Sequence, residues 1–317
     1  MVRKLKHTDI GDIPVDWELQ TFDETFRVLS NNTLSRENLN NRGGAVRNIH
    51  YGAISETLIL VPPFDEQEKI VQSLNEVQLL MTAETKVVNK MKFVKNGCLS
   101  KMFPQKDATV PEMRLPGFTE AWEQRKVTDL GEIYIGLVTT MTEHYTDQGH
   151  LLIRNSDIKD GFFEFGENPI YLDEEFSEQN KSRMHQLGDV ITVHTGDIGT
   201  SAVIGDNEVN SIGFATIVTR PNQEVLDSDY FATYLNTDTH KQWAISMATG
   251  DGRSNYNLKD YTKLVVPIPQ IKEQKKIAAC IGNLNNLITL HQCKCDKYSN
   301  IKKGMMSDLL TGKIRLV

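Results

Sequence analysis

The stretch that decides the fold occurs twice in the chain. Residues 266–310 begin V-P-I-P-Q-I-K-E-Q-K-K-I and end N-I-K-K-G-M-M-S-D-L-L, with an apolar-periodic run between. Residues 61–103 begin V-P-P-F-D-E-Q-E-K-I and end F-V-K-N-G-C-L-S-K-M-F. The two copies align without a gap, since Glu66 and Gly97 correspond to Glu273 and Gly304. The chain therefore contains an internal repeat.

Apolar residues recur at steps of three and four in both copies, which is the spacing of one helix face. Each copy predicts a helix of about 38 residues, roughly 57 Å long at 1.5 Å per residue. Two such helices are expected to pack their apolar faces together as an antiparallel coiled-coil pair. The seam of this pair is expected at six positions: Ile70, Leu74, Val77, Ile277, Ile281 and Leu284.

The apolar face turns polar at the same place in both copies, with Glu84 in the first and His291 in the second. One interpretation is a solvated gap in the seam. The alternative is a polar pair that sets the register of the helices or docks a partner.

A second repeat precedes each helix, since I-P-V-D-W-E-L-Q around Trp17 resembles L-P-G-F-T-E-A-W-E-Q around Trp122. About 150 residues separate Trp122 from Glu273, but only about 50 separate Trp17 from Glu66. The first copy of the repeat therefore lacks roughly 100 residues, the size of a domain. We expect four parts: a truncated remnant of a first domain (1–60), a first long helix (61–105), a complete second domain (106–265) and a second long helix (266–317).

Between Trp122 and Val265 the chain consists of short segments rich in β-branched and aromatic residues, bounded by Gly, Asp and Asn. Most of these segments, among them I-G-F-A-T-I-V-T-R-P (212–221), are predicted as strands. Two further helices are predicted over residues 174–187 and 228–248. The expected fold class is α+β, with one mixed domain carried on the two long helices.

Both P-P-F-D-E-Q-E-K-I and P-I-P-Q-I-K-E-Q-K-K-I precede a long helix and follow the pattern W-E-x-x-x-x-x-D/E. In these features nearly the whole chain resembles the specificity (S) subunit of type I restriction-modification enzymes. The resemblance implies two target-recognition domains that each bind half of a split DNA sequence. It also implies that the two helices set the distance between the halves and dock methyltransferase subunits. Since the first recognition domain is largely missing here, one working arm is expected.

Composition bounds the class of protein. The chain has 39% hydrophobic and 24% charged residues, and no apolar run approaches the roughly 18 residues that span a membrane. The basic start M-V-R-K-L-K-H has no apolar core after it, so no signal peptide is expected. A cytoplasmic protein is predicted.

The negative net charge argues against a protein that binds nucleic acid tightly by itself. The net charge is -7, and residues 111–265 hold about 12 Lys and Arg against about 25 Asp and Glu. A basic domain is the usual footprint of DNA binding. We therefore expect this chain to supply sequence choice, while a basic partner subunit supplies most of the affinity.

Base reading needs paired donors and acceptors on a rigid frame, such as Arg for guanine and Asn for adenine. Three segments supply them: R-N-S-D-I (154–158), V-H-T-G-D-I-G (193–199) and G-D-G-R-S-N-Y-N-L-K (250–259). For the first two, turns that hold the sheet together are an alternative interpretation, and for the third a solvent loop that caps a helix. The DNA-binding candidates are Arg154, Asn155, Thr195, Gly196, Arg253, Ser254, Asn255, Asn257 and Lys259, with Lys181 and Arg183 as phosphate contacts.

Catalysis and metal binding are not expected of this chain. It contains neither a G-x-G-x-x-G unit nor a P-loop. The C-K-C at 293–295 lies beside His291, but residues two apart on a helix point to different faces, and no second cluster completes four ligands. We expect S-adenosylmethionine, ATP and Mg²⁺ to belong to partner subunits.

The function expected from the sequence is a non-catalytic DNA specificity subunit that binds a half-site, or forms a homodimer that restores two arms. Its partners would be double-stranded DNA, methyltransferase subunits and, through them, restriction subunits. An alternative is a decoy that occupies methyltransferase subunits without binding DNA. A recombination remnant without a role is a third interpretation.

Overall fold

The computed structural model describes residues 4–26, 57–105, 108–248 and 255–316. The chain divides into two compact units. Unit 1 contains Met1–Val88 and Leu290–Val317, and unit 2 contains Asn89–Thr289. Both units combine helices and strands, and two of the helices are far longer than the rest. This is the predicted α+β fold class.

Seven α-helices are described: α1 (Phe22–Thr25), α2 (Phe64–Met102), α3 (Glu174–Gln179), α4 (Ser228–Leu235), α5 (Asp238–Met247), α6 (Leu258–Tyr261) and α7 (Ile271–Leu310). Within the described residues, no helix is long and apolar enough to cross a membrane.

Unit 1 contains four described strands, which form two antiparallel pairs: β1 (Leu5–Thr8) with β2 (Gly11–Pro14), and β3 (Glu18–Thr21) with β4 (Leu58–Val61). Unit 2 contains the other twelve: β5 (Glu123–Lys126), β6 (Gly131–Ile135), β7 (Tyr145–Thr146), β8 (His150–Arg154), β9 (Ile158–Lys159), β10 (Phe162–Phe163), β11 (Tyr171–Leu172), β12 (Val190–Thr192), β13 (Ser201–Val203), β14 (Ile212–Phe214), β15 (Ile217–Pro221) and β16 (Val265–Ile268).

The long helices are confirmed, with bounds inside the predicted ones. The first has 39 residues and the second has 40. Prolines stand just before each start, where they suit an extended entry. The backbone N–H groups of Glu66 and Gln67 donate to Pro63 O, and those of Glu273 and Gln274 donate to Gln270 O. The repeat therefore starts both helices in the same way.

In unit 1 the two helices pack antiparallel. Lys302 Nζ donates to Gln78 Oε1 at 2.7 Å, and Thr85 Oγ1 lies 3.9 Å from Cys295 Sγ. Next to these contacts, His291 Nδ1 hydrogen-bonds Glu84 Oε2, and each side chain is about one fifth exposed. The hydrogen bond from His291 lowers the pKa of Glu84. The polar position in the seam is thus filled by two side chains that contact each other.

The six predicted seam positions are all at least half-buried, but this burial does not continue along the helices, and their contact across a seam stays a prediction. Ile70, Ile277 and Ile281 are buried, and Leu74, Val77 and Leu284 are half-buried. Leu80 and Leu287 continue the same apolar spacing, yet these side chains are 48% and 43% exposed. A straight α-helix drifts by about 20° per heptad against a 3.5-residue repeat. Apolar spacing alone therefore overestimates the length of the contact.

In unit 1 the buried carboxylate of Glu66 links the two ends of the described chain through hydrogen bonds. Arg315 Nε donates to Glu66 Oε1 at 2.7 Å, and Trp17 Nε1 donates to Glu66 Oε2 at 3.0 Å. Arg315 also donates through both terminal nitrogens to Asp16. Burial alone would raise the pKa of Glu66, but the hydrogen bonds from Arg315 and Trp17 outweigh it and lower the pKa.

Unit 2 has the matching arrangement. Glu273 is 1% exposed and accepts two hydrogen bonds of 2.8 Å, one from Arg114 Nε and one from Arg114 Nη2. The strand pairs also match, because Glu18 pairs with Val61 in unit 1 and Glu123 pairs with Ile268 in unit 2. The internal repeat predicted from the sequence is therefore a structural repeat as well.

The domain in unit 2 contains two four-stranded sheets, in the orders β14-β8-β11-β7 and β13-β12-β15-β6. The pairing of β14 with β8 is parallel, and the other pairings in these sheets are antiparallel. The main hydrophobic core joins the ends of the long helices to this domain through Phe103, Trp122, Tyr230, Ile277 and Ile281.

Three predicted elements differ from the structure. The helix predicted over 174–187 ends at Gln179, because Asn180 caps it by donating its backbone and side-chain N–H groups to Phe176 O. The helix predicted over 228–248 is two helices, since Asn236 bonds the backbone of Ser201 and Thr237 caps α5. The single strand predicted over 212–221 is interrupted between Phe214 and Ile217.

Two histidines lie in the interior of unit 2. His185 is 0% exposed and its Nδ1 lies 2.8 Å from Ser211 Oγ. His240 is 1% exposed and its Nδ1 donates to Leu235 O at 2.6 Å. Burial, aided by the charge of Arg220, lowers the pKa of His185 to about 3. Burial lowers the pKa of His240 to about 4, against the opposing effect of its bond to Leu235.

Candidate nucleic-acid interface

Arg154 is the best-oriented basic candidate. It ends β8, and its Nε and Nη2 donate to the two carboxylate oxygens of Asp157 at 3.0 and 2.9 Å. The Asp157 side chain is 4% exposed, whereas that of Arg154 is 38% exposed. This hydrogen-bonded carboxylate raises the pKa of Arg154. Because a guanidinium has five N–H donors, Arg154 is held on one edge while further donors remain for a ligand.

The side-chain amide of Asn155 is occupied by hydrogen bonds within the protein. Its Nδ2 donates to Phe214 O and Ala215 O, both at 3.3 Å, and its Oδ1 accepts from the backbone N–H of His194 at 2.8 Å. Both amide hydrogens are thus used. In this conformation Asn155 cannot pair with an adenine, and its role is to hold the turn after β14.

The predicted segments 154–158 and 193–199 meet residue 255. Thr195 Oγ1 donates to Asn255 Oδ1 at 2.7 Å, and His194 Nδ1 lies 2.7 Å from the same hydroxyl. The backbones of Thr195 and Asn255 also form an antiparallel bridge. Burial lowers the pKa of His194, so its imidazole is neutral near pH 7. Asn155, His194, Thr195 and Asn255 therefore form one hydrogen-bonded network, called here the 155–255 network.

Gly196 lies beside this network and is exposed, with φ of +105°. A Cβ built on it would meet nothing within 4 Å. Its conformation rather than crowding therefore favours glycine, and the space next to its backbone is open.

The remaining candidates differ in availability. Arg183 Nη1 donates to Ile135 O at 2.8 Å and its guanidinium lies 5.6 Å from the centre of the Tyr134 ring, so it has a structural role. Lys181 is exposed and pairs with Glu178. Lys259 is exposed on α6, and Asn257 stands at the start of that helix. Arg253 and Ser254 lie outside the described residues.

Both phosphate candidates were predicted on a helix, and this was wrong. Lys181 and Arg183 lie on a separate 3-10 turn that follows the cap of α3 at Asn180. A lone basic pair in the sequence gives no information about this break.

Sequence reasoning missed two features of this region. His194 links Asn155 to Thr195, but a lone histidine in a loop gives no specific signal. Ala215 has φ of +50°, although I-G-F-A-T-I has the composition of a continuous strand. Within the described residues, no group of three or more His, Cys, Asp or Glu could hold a metal ion.

Replacing Asn155 with alanine is expected to lower the free energy of unfolding by about 1–2 kcal/mol, because three backbone groups lose their partner. Urea denaturation would measure the change. The exposed Asn168, also in unit 2, provides the matched control, and Asn168→Ala should change stability by less than about 0.5 kcal/mol. An unchanged Asn155→Ala variant would show that the turn does not depend on this amide.

Unit 2 thus combines two four-stranded sheets with parts of both long helices, and Arg154 is held at the end of one strand. A family model described as the type I restriction modification DNA specificity domain matches residues 119–297. The chain belongs to this family, the type I restriction-modification specificity proteins.

Individual relatives agree with this assignment. The MjaVIII specificity subunit of Methanocaldococcus jannaschii is 21% identical over 283 residues, which cover 87% of this chain and 66% of the relative. The EcoBI specificity subunit of Escherichia coli is 22% identical over 268 residues, covering 79% and 56%. The chain thus spans between 56% and 66% of the length of these curated relatives.

Solved structures show the same fold. A chain from a structural study of complex assembly and conformational transition of the type I R-M system matches with a TM-score of 0.56 and 17% identity, covering 86% of this chain and 66% of that one. The type I S subunit from M. genitalium matches with a TM-score of 0.55 and 14% identity, covering 85% and 67%.

Proposed function

We propose that this chain is a non-catalytic DNA specificity subunit of a type I restriction-modification complex. Residues 106–265 bind one DNA half-site, and the helix pair docks methyltransferase subunits and, through them, restriction subunits. S-adenosylmethionine, ATP and Mg²⁺ are bound by those partners. The observation that carries the proposal is Arg154, a partly exposed guanidinium held in place by the buried Asp157.

Arg154 fits the reading of a guanine, whose O6 and N7 accept a pair of N–H donors in the major groove. Contacts that do not depend on sequence position a protein on its site. Lys181 and Lys259 supply side chains for phosphates, and the open backbone at Gly196 supplies N–H groups. The 155–255 network keeps the segments that carry Arg154 and Gly196 in a fixed relation.

Docking through the helices is supported by their exposed apolar side chains. In unit 1, Phe64, Val71 and Leu79 on α2 are 73%, 56% and 69% exposed. On α7 in the same unit, Leu290 is 53% exposed and Met306 is 42% exposed. Phe64, Val71 and Leu79 are seven and eight residues apart, so they lie on one side of α2, and a contiguous exposed apolar surface is typical of protein interaction sites.

A single recognition domain reads half of a split site. Two chains that associate through a two-fold axis would present two identical domains, and their site would then be palindromic. The native mass of the purified complex gives the number of specificity chains, and the symmetry of the recognised sequence checks it independently.

Co-expression with a methyltransferase subunit from the same system, followed by sequencing of genomic methylation, tests the function. We expect one defined motif. Arg154→Ala should lower affinity for a duplex carrying that motif by about tenfold to a hundredfold, since a good arginine-guanine pair contributes about 1–3 kcal/mol of discrimination. Arg125→Ala, which changes an arginine on β5, is the matched control and should retain affinity.

The acidic composition of residues 111–265 favours a second function, a decoy that occupies methyltransferase subunits without binding DNA. The two functions predict different salt dependence. Affinity of a DNA reader falls steeply as salt rises, because bound counterions are released from the phosphates. A complex that forms but leaves no methylated motif would identify the decoy.

A further inference from the structure

Phe214 lies next to Arg154 on the neighbouring strand. In the parallel pairing of β14 with β8, Phe214 is the direct Cα partner of Arg154. Adjacent strands lie about 4.8 Å apart, and aligned residues of parallel strands project to the same face of a sheet. Phe214 is 40% exposed and the Arg154 side chain is 38% exposed. A guanidinium and a phenyl ring therefore stand side by side in reach of solvent.

The turn that carries Phe214 is built to hold it there. Ala215 has φ of +50°, a left-handed conformation that is unfavourable for alanine. The turn is fixed by backbone bonds of 2.8 Å from Leu137 N to Gly213 O and from Ala215 N to Leu137 O. Asn155 binds the carbonyl oxygens of both Phe214 and Ala215. Strain that the surroundings enforce is typical of functional sites.

Room on the inner side of the turn is equally restricted. A Cβ on Gly213 would lie 2.1 Å from Thr216 Oγ1 and 3.2 Å from Nε2 of the buried His185. A side chain at position 213 would therefore force the turn to move, so the backbone cannot slip by one residue and Phe214 stays at its position. Val138, which follows Leu137 in the chain, is 69% exposed and lies next to the Leu137–Phe214 bridge.

We propose that Phe214 is a specificity-determining residue that contacts the 5-methyl group of a thymine adjacent to the base contacted by Arg154. The inference rests on the proposed function, since it requires that this domain binds DNA. In the major groove, guanine presents two acceptors and thymine presents a methyl group, which apolar side chains such as phenylalanine contact. A guanidinium beside a phenyl ring matches a guanine beside a thymine.

The test uses the full chain in complex with its co-expressed methyltransferase subunit. Wild-type methylation defines the motif, and short duplexes are then made in which each thymine of the motif is replaced in turn by deoxyuridine, which lacks the methyl group. Affinity is measured for the wild type and for Phe214→Ala. Phe162→Ala is the matched control, because Phe162 is a 55% exposed phenylalanine on β10.

We expect one thymine whose replacement weakens wild-type binding about fourfold, the equivalent of one buried methyl or methylene group at about 0.8 kcal/mol. Phe214→Ala should weaken binding to the thymine duplex by a similar factor and lose the sensitivity to deoxyuridine at that position. Phe162→Ala should retain it. Thermal melting of both variants confirms that they are folded.

The outcomes separate the two proposals. If the wild-type complex methylates no motif, the proposed function fails and this inference fails with it. If a motif is found but Phe214→Ala keeps the full deoxyuridine sensitivity, only the inference fails. If Phe214→Ala leaves DNA binding intact and reduces the amount of methyltransferase subunit that copurifies, Phe214 faces a protein partner and the inference is overturned.

Discussion

Replacing Arg114 with alanine is expected to lower the free energy of unfolding of unit 2 by about 3–5 kcal/mol. The change removes both hydrogen bonds to Glu273, which is 1% exposed. Removing one partner of a buried ion pair is costly because the other charge remains buried without compensation. Urea denaturation followed by tryptophan fluorescence would measure the loss.

Two further variants show whether the buried charge is the cause. Lys101 and Glu112 form an exposed ion pair, so Lys101→Ala should change stability by less than about 0.5 kcal/mol. The double variant Arg114→Met/Glu273→Gln removes both charges and should recover part of the loss. A loss of under 1 kcal/mol in Arg114→Ala would mean that Glu273 is not isolated from water.

Stability is expected to fall as the pH is lowered from 6.5 toward 4.5. The pKa values of His185 and His240 are lowered from 6.5 to about 3 and about 4 in the folded protein. Below pH 6.5 the unfolded chain binds protons that the folded chain does not, so acid favours unfolding. The stabilisation is complete above pH 6.5 and is lost as the pH falls, at about 1.4 kcal/mol per pH unit for each histidine.

Melting temperatures between pH 7.5 and 4.5 would measure this dependence. His185→Asn and His240→Gln should each flatten the slope, because each removes one buried group that takes up a proton on unfolding. His7, whose side chain is 86% exposed, provides the control, and His7→Gln should leave the slope unchanged. Equal slopes in all four proteins would mean that other groups cause the acid sensitivity.

The long helices and the repeat could be predicted from the sequence because their signals are local. Apolar spacing and the prolines before Phe64 and Ile271 are properties of short segments. The break at Ala215 could not be predicted in this way. It depends on Asn155 and Leu137, which are distant in sequence, and tertiary contacts override strand propensity there.

Within the candidate interface, only contacts between residues close in sequence could be predicted. Arg154 and Asp157 are three residues apart, so their pairing lies within the quoted motif R-N-S-D-I. The role of Asn155 depends on carbonyl groups about 60 residues later, and only the structure shows that its amide is occupied. Contact of the candidate residues with DNA stays a prediction.

The hydrogen bonds between Arg315 and Glu66 have a consequence for the order in which the protein folds during synthesis. Glu66 and Arg315 are separated by 249 positions, whereas unit 2 is a single continuous segment, Asn89–Thr289. The ribosome completes unit 2 before it adds the residue that neutralises Glu66. Contacts between such distant residues form slowly, so we expect the N-terminal residues to reach their native environment last.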